Sequence, residues 1–292
     1  MNIAVLKSIA VILGSVLIAF LVATANSAYS IQVNGWSLYL LLGCVAFLIN
    51  WIAFIPAYFL QTEHFYDLTG SLTYLSILII ALTMGDLWDN PRALMLIGMV
   101  GIWSIRLGSF LFMRIKKDGD DSRFDEIKVD FFRFLVAWTL QALWVFLTLA
   151  AALAVITSEH QVSMGIFMLL GFTIWLFGFV VEVIADQQKR AFKDDPKNNG
   201  QFISSGLWAH SRHPNYFGEI TLWIGVFVIC IQVLQGWQWA TIISPIFVYL
   251  LITKISGVEK LEKSADKKWG GDPDYEAYKA RTPVLFLSPT SR

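Results

Sequence analysis

Charge is scarce in this chain. Only 15% of its 292 residues are Asp, Glu, Lys or Arg, against about 25% in a soluble domain, and 56% are hydrophobic. So little charge excludes a water-soluble globular protein and leaves an integral membrane protein. The few charges also balance, 22 of each sign, so no bulk attraction to nucleic acid or another charged partner is implied. Cysteine is scarcer still. Cys44 and Cys230, both in apolar runs, exclude a disulfide framework or thiolate cluster and read as small core residues. A Gly-rich Rossmann fingerprint, a P-loop and a nucleophile elbow are all missing. Long repeats and low-complexity linkers are missing too, so residues 1–292 read as a single transmembrane domain.

What is present is a series of apolar runs. A span needs roughly 20 apolar residues, and about eight runs qualify or nearly so: Ile3–Ala25, Trp36–Leu60, Ser71–Leu87, Ala93–Met113, Phe132–Thr157, Val162–Ala185, Pro214–Leu234 and Trp237–Ser256. The fold class expected is therefore all-α, a polytopic helical membrane bundle. The third run is short, and only Gln235 and Gly236 join the last two, which predicts a tight helical hairpin. Basic residues support the count. They follow the fourth run (Arg114, Lys116, Lys117, Arg123, Lys128), the sixth (Lys189, Arg190, Lys193, Lys197, Arg212) and the eighth (from Lys260 to Arg292). The odd-numbered loops hold Arg92 alone. The positive-inside rule then places both termini and the basic loops in the cytoplasm, as in a bacterial inner membrane or its equivalent. Residues 1–30 carry Lys7, an apolar run and Ala-Asn-Ser-Ala, and read as an extra N-terminal span or a signal-like segment. Residues 257–292 read as a charged cytoplasmic tail, in which Asp272–Arg281 forms a short helix that either anchors the C-terminus or covers a cavity.

Charged groups inside spans cost several kcal/mol unless partnered or facing a wet cavity, which makes them functional candidates. Arg106 is embedded in the fourth run, about two turns before Arg114 on the same face; a guanidinium there suits a carboxylate or phosphate. Glu182, Asp186 and Arg190, spaced by four, form one polar stripe at the end of the sixth run. After the second run, Gln61, Glu63, His64 and Tyr66 form either a polar interfacial loop or the lining of a cavity.

The stretch Ser205–Gly225 looks like the centre of the protein. Arg212-His213-Pro214 forms a bend into a helix, since proline suits a first helical turn and holds the residue before it extended. A helix N-terminus there suits phosphate. Asn215 and Glu219 share one helical face, and Gly218 beside them leaves room for something flat to approach. All these polar groups fall in the cytoplasmic half, which predicts a single cytoplasm-facing cavity. His210 and His213 are three apart, but no third ligand has metal-binding spacing, so no metal is expected.

Ser211-Arg-His-Pro-Asn-Tyr-Phe-Gly-Glu219 resembles the steroid 5-alpha-reductase superfamily, and more closely its bacterial branch known as DUF1295. Phe65–Thr73 and Tyr275…Tyr278…Arg281-Thr-Pro283 are similar to the same branch, so the resemblance runs from about Gln61 to Pro289. It implies a multi-span reductase that binds NADPH on the cytoplasmic side and reduces a carbon–carbon double bond conjugated to a carbonyl. The implied substrate is a steroid-like or other hydrophobic lipid, and the only other partners expected are membrane lipids, with a monomer or weak oligomer. The cofactor set implied is Arg106, Arg114, Glu182, Asp186, Arg190, Arg212, His213, Asn215, Tyr216 and Glu219. Asn215 and Glu219 would meet the nicotinamide end, and Asp186 and Arg190 the ribose and phosphates. The catalytic set is Gln61, Glu63, His64 and Tyr66. Gln61 matches the family's substrate-carbonyl glutamine, and Glu63 is offset from its glutamate by Thr62. A Glu63 kept protonated in an apolar cavity would donate to the carbonyl, and Tyr66 or His64 would protonate the enolate carbon. Trp103 stands where the steroid enzymes carry a substrate-side tyrosine. The Arg-His-Pro-x-Tyr-x-Gly core is also similar to membrane methyltransferases that use S-adenosylmethionine, and a non-enzymatic lipid carrier is the third reading.

Overall fold

The computed structural model describes residues 3–118, 124–160, 162–255 and 257–288, and side chains there except at 114–118. The chain is an all-α polytopic membrane protein. Its long helices are α1 (Ile3–Ser27), α2 (Leu38–Phe59), α3 (Tyr66–Met84), α4 (Pro91–Asp118), α5 (Phe131–Ile156), α6 (Ile166–Asp194) and α7 (Pro214–Cys230). After a 3-10 segment (Gly236–Ile242) come α8 (Ile243–Leu250), a π-helical turn (Leu251–Ile255), α9 (Val258–Trp269) and α10 (Pro273–Arg281). Among the described residues, seven helical runs are long and apolar enough to cross a membrane: α1 to α6 and the run Gly236–Trp269. The seventh expected span, α7, is apolar but stops at Cys230, with 17 residues. The predicted hairpin is thus looser than two residues, because Val233 and Leu234 fold back onto the Cys230 carbonyl instead of extending the helix. α3 starts earlier than its apolar run, at Tyr66. Asp67 lowers the hydropathy there yet suits the positive end of a helix.

The chain forms two compact units, residues 1–164 with 230–243, and residues 165–229 with 244–292. In the first, α5 is apolar all round and accordingly buried, continuously from Thr148 to Ile156. It packs against α1, α2, α3 and α4. A two-stranded hairpin, β1 (Gln32–Val33) and β2 (Trp36–Ser37), turns on Asn34-Gly35, both at positive φ, and ends where the Ser37 hydroxyl caps α2. Such a turn needs positive φ at both central residues, hence Asn-Gly. Arg92, the exception to the charge rule, is no loop cation. It is 4% exposed and donates to the Ser163 carbonyl at 2.9 Å, tying the start of α4 to the segment after α5.

In the second unit, α6 and α7 cross almost backbone to backbone. A Cβ at Gly178 would stand 2.5 Å from the Leu222 nitrogen, and one at Gly225 2.5 Å from the Trp175 nitrogen. Small residues permit this approach, which is how helices associate without a hydrophobic driving force in lipid.

Candidate functional site

The glycine contact sets the geometry of the second unit's polar groups. Gly218 does not leave room for a ligand. A Cβ there would lie 2.6 Å from both the Glu182 nitrogen and the Gly178 carbonyl oxygen, so α6 itself fills that space. The crossing brings the α6 stripe beside the first turn of α7. Asn215 donates from Nδ2 to Asp186 Oδ1 at 3.1 Å. Glu182 and Asp186 are buried, at 3% and 8% exposure. Arg190, at the end of the stripe, is exposed and sits 3.9 Å from Asp194. Glu219, one turn beyond Asn215, is half-buried.

At the bend before α7, a residue from α9 grips both members of the Arg-His pair. One Glu262 carboxylate oxygen lies 2.9 Å from Arg212 Nη1 and the other 2.7 Å from His213 Nε2. Burial pushes the His213 imidazole below its ordinary range, against the opposing pull of Glu262. The ring is therefore neutral near pH 7, with its proton on Nε2 donated to the carboxylate. That leaves Nδ1 as a buried lone pair, and neither it nor Arg212 Nε has a hydrogen-bond partner among the described residues. The ring stacks on Tyr216, 13° from parallel at 5.7 Å. His210 is used separately, its Nδ1 2.8 Å from the Ser288 carbonyl, so the two histidines do not converge.

The tail is a docked strap. Tyr278 donates to the Trp208 carbonyl at 2.7 Å, and Ser211 Oγ to the Leu285 carbonyl at 2.9 Å. The Arg212 amide donates to the Pro283 carbonyl at 2.9 Å. Tyr275, Tyr278 and Leu285 are buried, and burial pushes the Tyr278 phenol up to about 12. Between the two readings of the tail helix, these contacts favour anchoring, and they anchor it onto the His210–His213 segment. Trp208 in turn donates to the Ala185 carbonyl at 3.0 Å, holding that segment to α6.

The other candidates belong to the first unit, and here two expected roles change. Glu63 is 3% exposed, but its carboxylate meets Lys128 Nζ at 3.0 Å. The Glu63 hydrogen bond in turn raises the Lys128 ammonium above its usual range. The Glu63 carboxylate oxygen therefore accepts from that ammonium, which does not fit the protonated donor expected. Tyr66 spends its hydroxyl proton on the Ala137 carbonyl at 2.9 Å, and its ring packs on Phe124 and Trp138. It is a cluster residue, not a proton source. Gln61, at φ 50°, and His64 are exposed, and Gln61 bonds back to the Tyr58 carbonyl. Trp103 is 1% exposed, edge-on to Tyr74 at 5.3 Å, which makes it core and not a lining residue. Arg106 is half-buried, with its guanidinium 5.5 Å from the centre of the Phe110 ring. The Arg114 side chain lies outside the described residues.

Sequence reasoning missed Glu262, Lys128 and Tyr278 as partners. Glu262 and Lys128 sit in charged stretches without a local signal that distinguishes them from their neighbours, and the string that holds Tyr278 does not point to the Trp208 carbonyl as its partner. Among the described residues, no three His, Cys, Asp or Glu side chains gather as a metal site.

A 57-residue stretch is 35% identical to the probable O-methyltransferase ustE of Ustilaginoidea virens, covering 20% of this chain and 20% of that protein. No solved structure matches. The family described as protein of unknown function DUF1295 matches residues 53–282, which take in α3 to α10, the polar stripe, the bend and most of the strap. The chain belongs to the DUF1295 family.

Proposed function

We propose that this protein is a membrane reductase that uses NADPH to reduce a carbon–carbon double bond conjugated to a carbonyl in a hydrophobic lipid. The observation that carries this reading is the meeting of the α6 stripe with the α7 motif through Asn215 and Asp186. That meeting sets the buried carboxylates of the stripe beside a carboxamide, acceptors for ribose hydroxyls and a partner for the nicotinamide amide. The unused polar atoms fit as well. His213 Nδ1 offers a buried acceptor and Arg212 Nε a buried donor, and each is costly to leave unsatisfied.

NADPH, when bound, supplies the hydride. Arg212, with Lys189 and Arg190 at the end of α6, would hold its phosphates. Asp186 and Glu182 would accept from ribose hydroxyls. Asn215 and Glu219, with Tyr216 beside them, would take the carboxamide end. In the first unit, Gln61 and His64 are the donors for a substrate carbonyl, with Glu63 and Lys128 fixing the loop that carries them. A donor aimed at the carbonyl oxygen stabilises the charge that develops as the β-carbon receives hydride. One proton then completes the reduction at the α-carbon, and His64 is the candidate to deliver it. In this reading the basic loops, both termini and the cofactor groups face the cytoplasm, where the reduced cofactor is available.

A second reading, methyl transfer from S-adenosylmethionine, draws support from the stretch similar to the fungal O-methyltransferase. Thermal unfolding of the purified protein with NADPH, NADH and S-adenosylmethionine separates the two. Stabilisation by NADPH that Asn215→Ala and Glu219→Ala remove is the expected result. Stabilisation by S-adenosylmethionine alone replaces the reductase with a methyltransferase. A response to none of the three moves the assignment to the lipid carrier.

A further inference from the structure

Away from these residues, the first unit has a groove of about 350 Å³ between α1 and α5, lined by Lys7, Ser8, Val11, Ile127, Arg133, Val136, Ala137 and Leu140. Its walls are apolar and its two charges are both cations. Lys7 lies in the second turn of α1, and Arg133 in the first turn of α5. Both helices therefore begin beside the groove, and the positive dipole end of α1 adds to the two side chains. Asp130 caps α5, accepting from the Arg133 amide at 3.0 Å, so its carboxylate offsets the dipole end of that helix and α5 contributes its Arg133 side chain to the groove. The acidic neighbour is Glu126, which stands 3.9 Å from the Arg133 guanidinium and is almost wholly in solvent, so it holds that guanidinium weakly.

α1 is the peripheral helix, with only 17% of its apolar window buried, so the groove beside it borders lipid. The wall residues Val11, Val136, Ala137 and Leu140 extend deeper into both helices, away from the charged end. A cationic mouth with an apolar floor matches one amphiphile in both parts. We infer that this groove binds an anionic phospholipid, its phosphate between Lys7 and Arg133 and an acyl chain against Val11, Val136 and Leu140. The charge and the apolar walls together select this occupant. A second copy of the chain would bring the same cations to the mouth, and free phosphate would leave the walls without a partner.

Native mass spectrometry of the full-length protein, delipidated and then incubated with an equimolar mixture of phosphatidylglycerol and phosphatidylcholine, tests this directly. A basic side chain at a membrane surface favours an anionic lipid by about fivefold, so the pair should give a preference of about thirtyfold. Lys7→Gln with Arg133→Gln should reduce the retained phosphatidylglycerol to the phosphatidylcholine level. Leu140→Trp, which fills the groove and keeps both cations, should also remove the retained lipid. A photoactivatable phosphatidylglycerol on the unmodified protein should label the 127–140 segment, and excess inorganic phosphate should not displace it. Equal retention of the two lipids, labelling confined to other segments, or displacement by phosphate alone would overturn the assignment.

Discussion

Gly218→Ala tests the contact on which the second unit's polar groups depend. The new methyl would begin 2.6 Å from the Glu182 nitrogen and the Gly178 oxygen and 2.9 Å from the Glu182 Cβ. Ordinary contact is about 3.5–4.0 Å, so α6 and α7 must part by close to 1 Å at this level. Overpacking of this kind costs about 1–3 kcal/mol. Alanine's better helix propensity returns up to about 1 kcal/mol, and the clash therefore decides the sign. The net loss of about 1–2 kcal/mol corresponds to a melting point lower by about 2–8 °C. Gly98→Ala and Gly101→Ala in α4 are the controls. A Cβ at either meets nothing within 4 Å, so they gain the propensity without the clash and should unfold at or above the parent temperature. Unfolding in detergent, followed by tryptophan fluorescence, reads all three. The same displacement stretches the Asn215–Asp186 bond, so Gly218→Ala should also weaken stabilisation by NADPH. If Gly218→Ala melts with Gly98→Ala at or above the parent, α6 and α7 do not meet backbone to backbone, and the site geometry built on that crossing fails.

Other perturbations have equally definite signs. The folded-state pKa of His213 lies below its unfolded value. Its contribution is therefore complete above about pH 6.5 and is lost as pH falls through that value towards the folded pKa; unfolding titrated from pH 7.5 to 5 should show this loss, and His213→Gln should flatten it. Lys128→Met removes the ammonium 3.0 Å from the buried Glu63 carboxylate and should cost about 3 kcal/mol, part of which Glu63→Gln in the same chain should restore; chemical unfolding of the single and double variants measures both. Tyr278→Phe strands the Trp208 carbonyl and should cost about 1–2 kcal/mol, seen as faster proteolysis of the 275–288 strap.

Much of the architecture was legible in the sequence because it rests on local periodicity. Apolar runs of sufficient length give the spans. Spacing by four puts Glu182, Asp186 and Arg190 on one face of α6, and Pro214 marks the start of α7. The 32–37 hairpin went unread, with Trp36 assigned to the second apolar run, although Asn34-Gly35 was its signal.

What the tertiary structure alone decided is which face meets which. Gly218 looks the same in sequence whether a ligand or a helix approaches it, and only the α6–α7 crossing shows that a helix does. Glu63 in an apolar setting suggests a protonated acid until Lys128, distant along the chain, arrives at 3.0 Å. Tyr66 suggests a proton donor until α5 offers the Ala137 carbonyl. Glu262 is one carboxylate among many in a charged helix until α9 brings it to Arg212 and His213. Periodicity fixes the direction of a side chain relative to its own helix axis. Its partner, and with it the charge and the available proton, is set by packing between segments far apart in the chain.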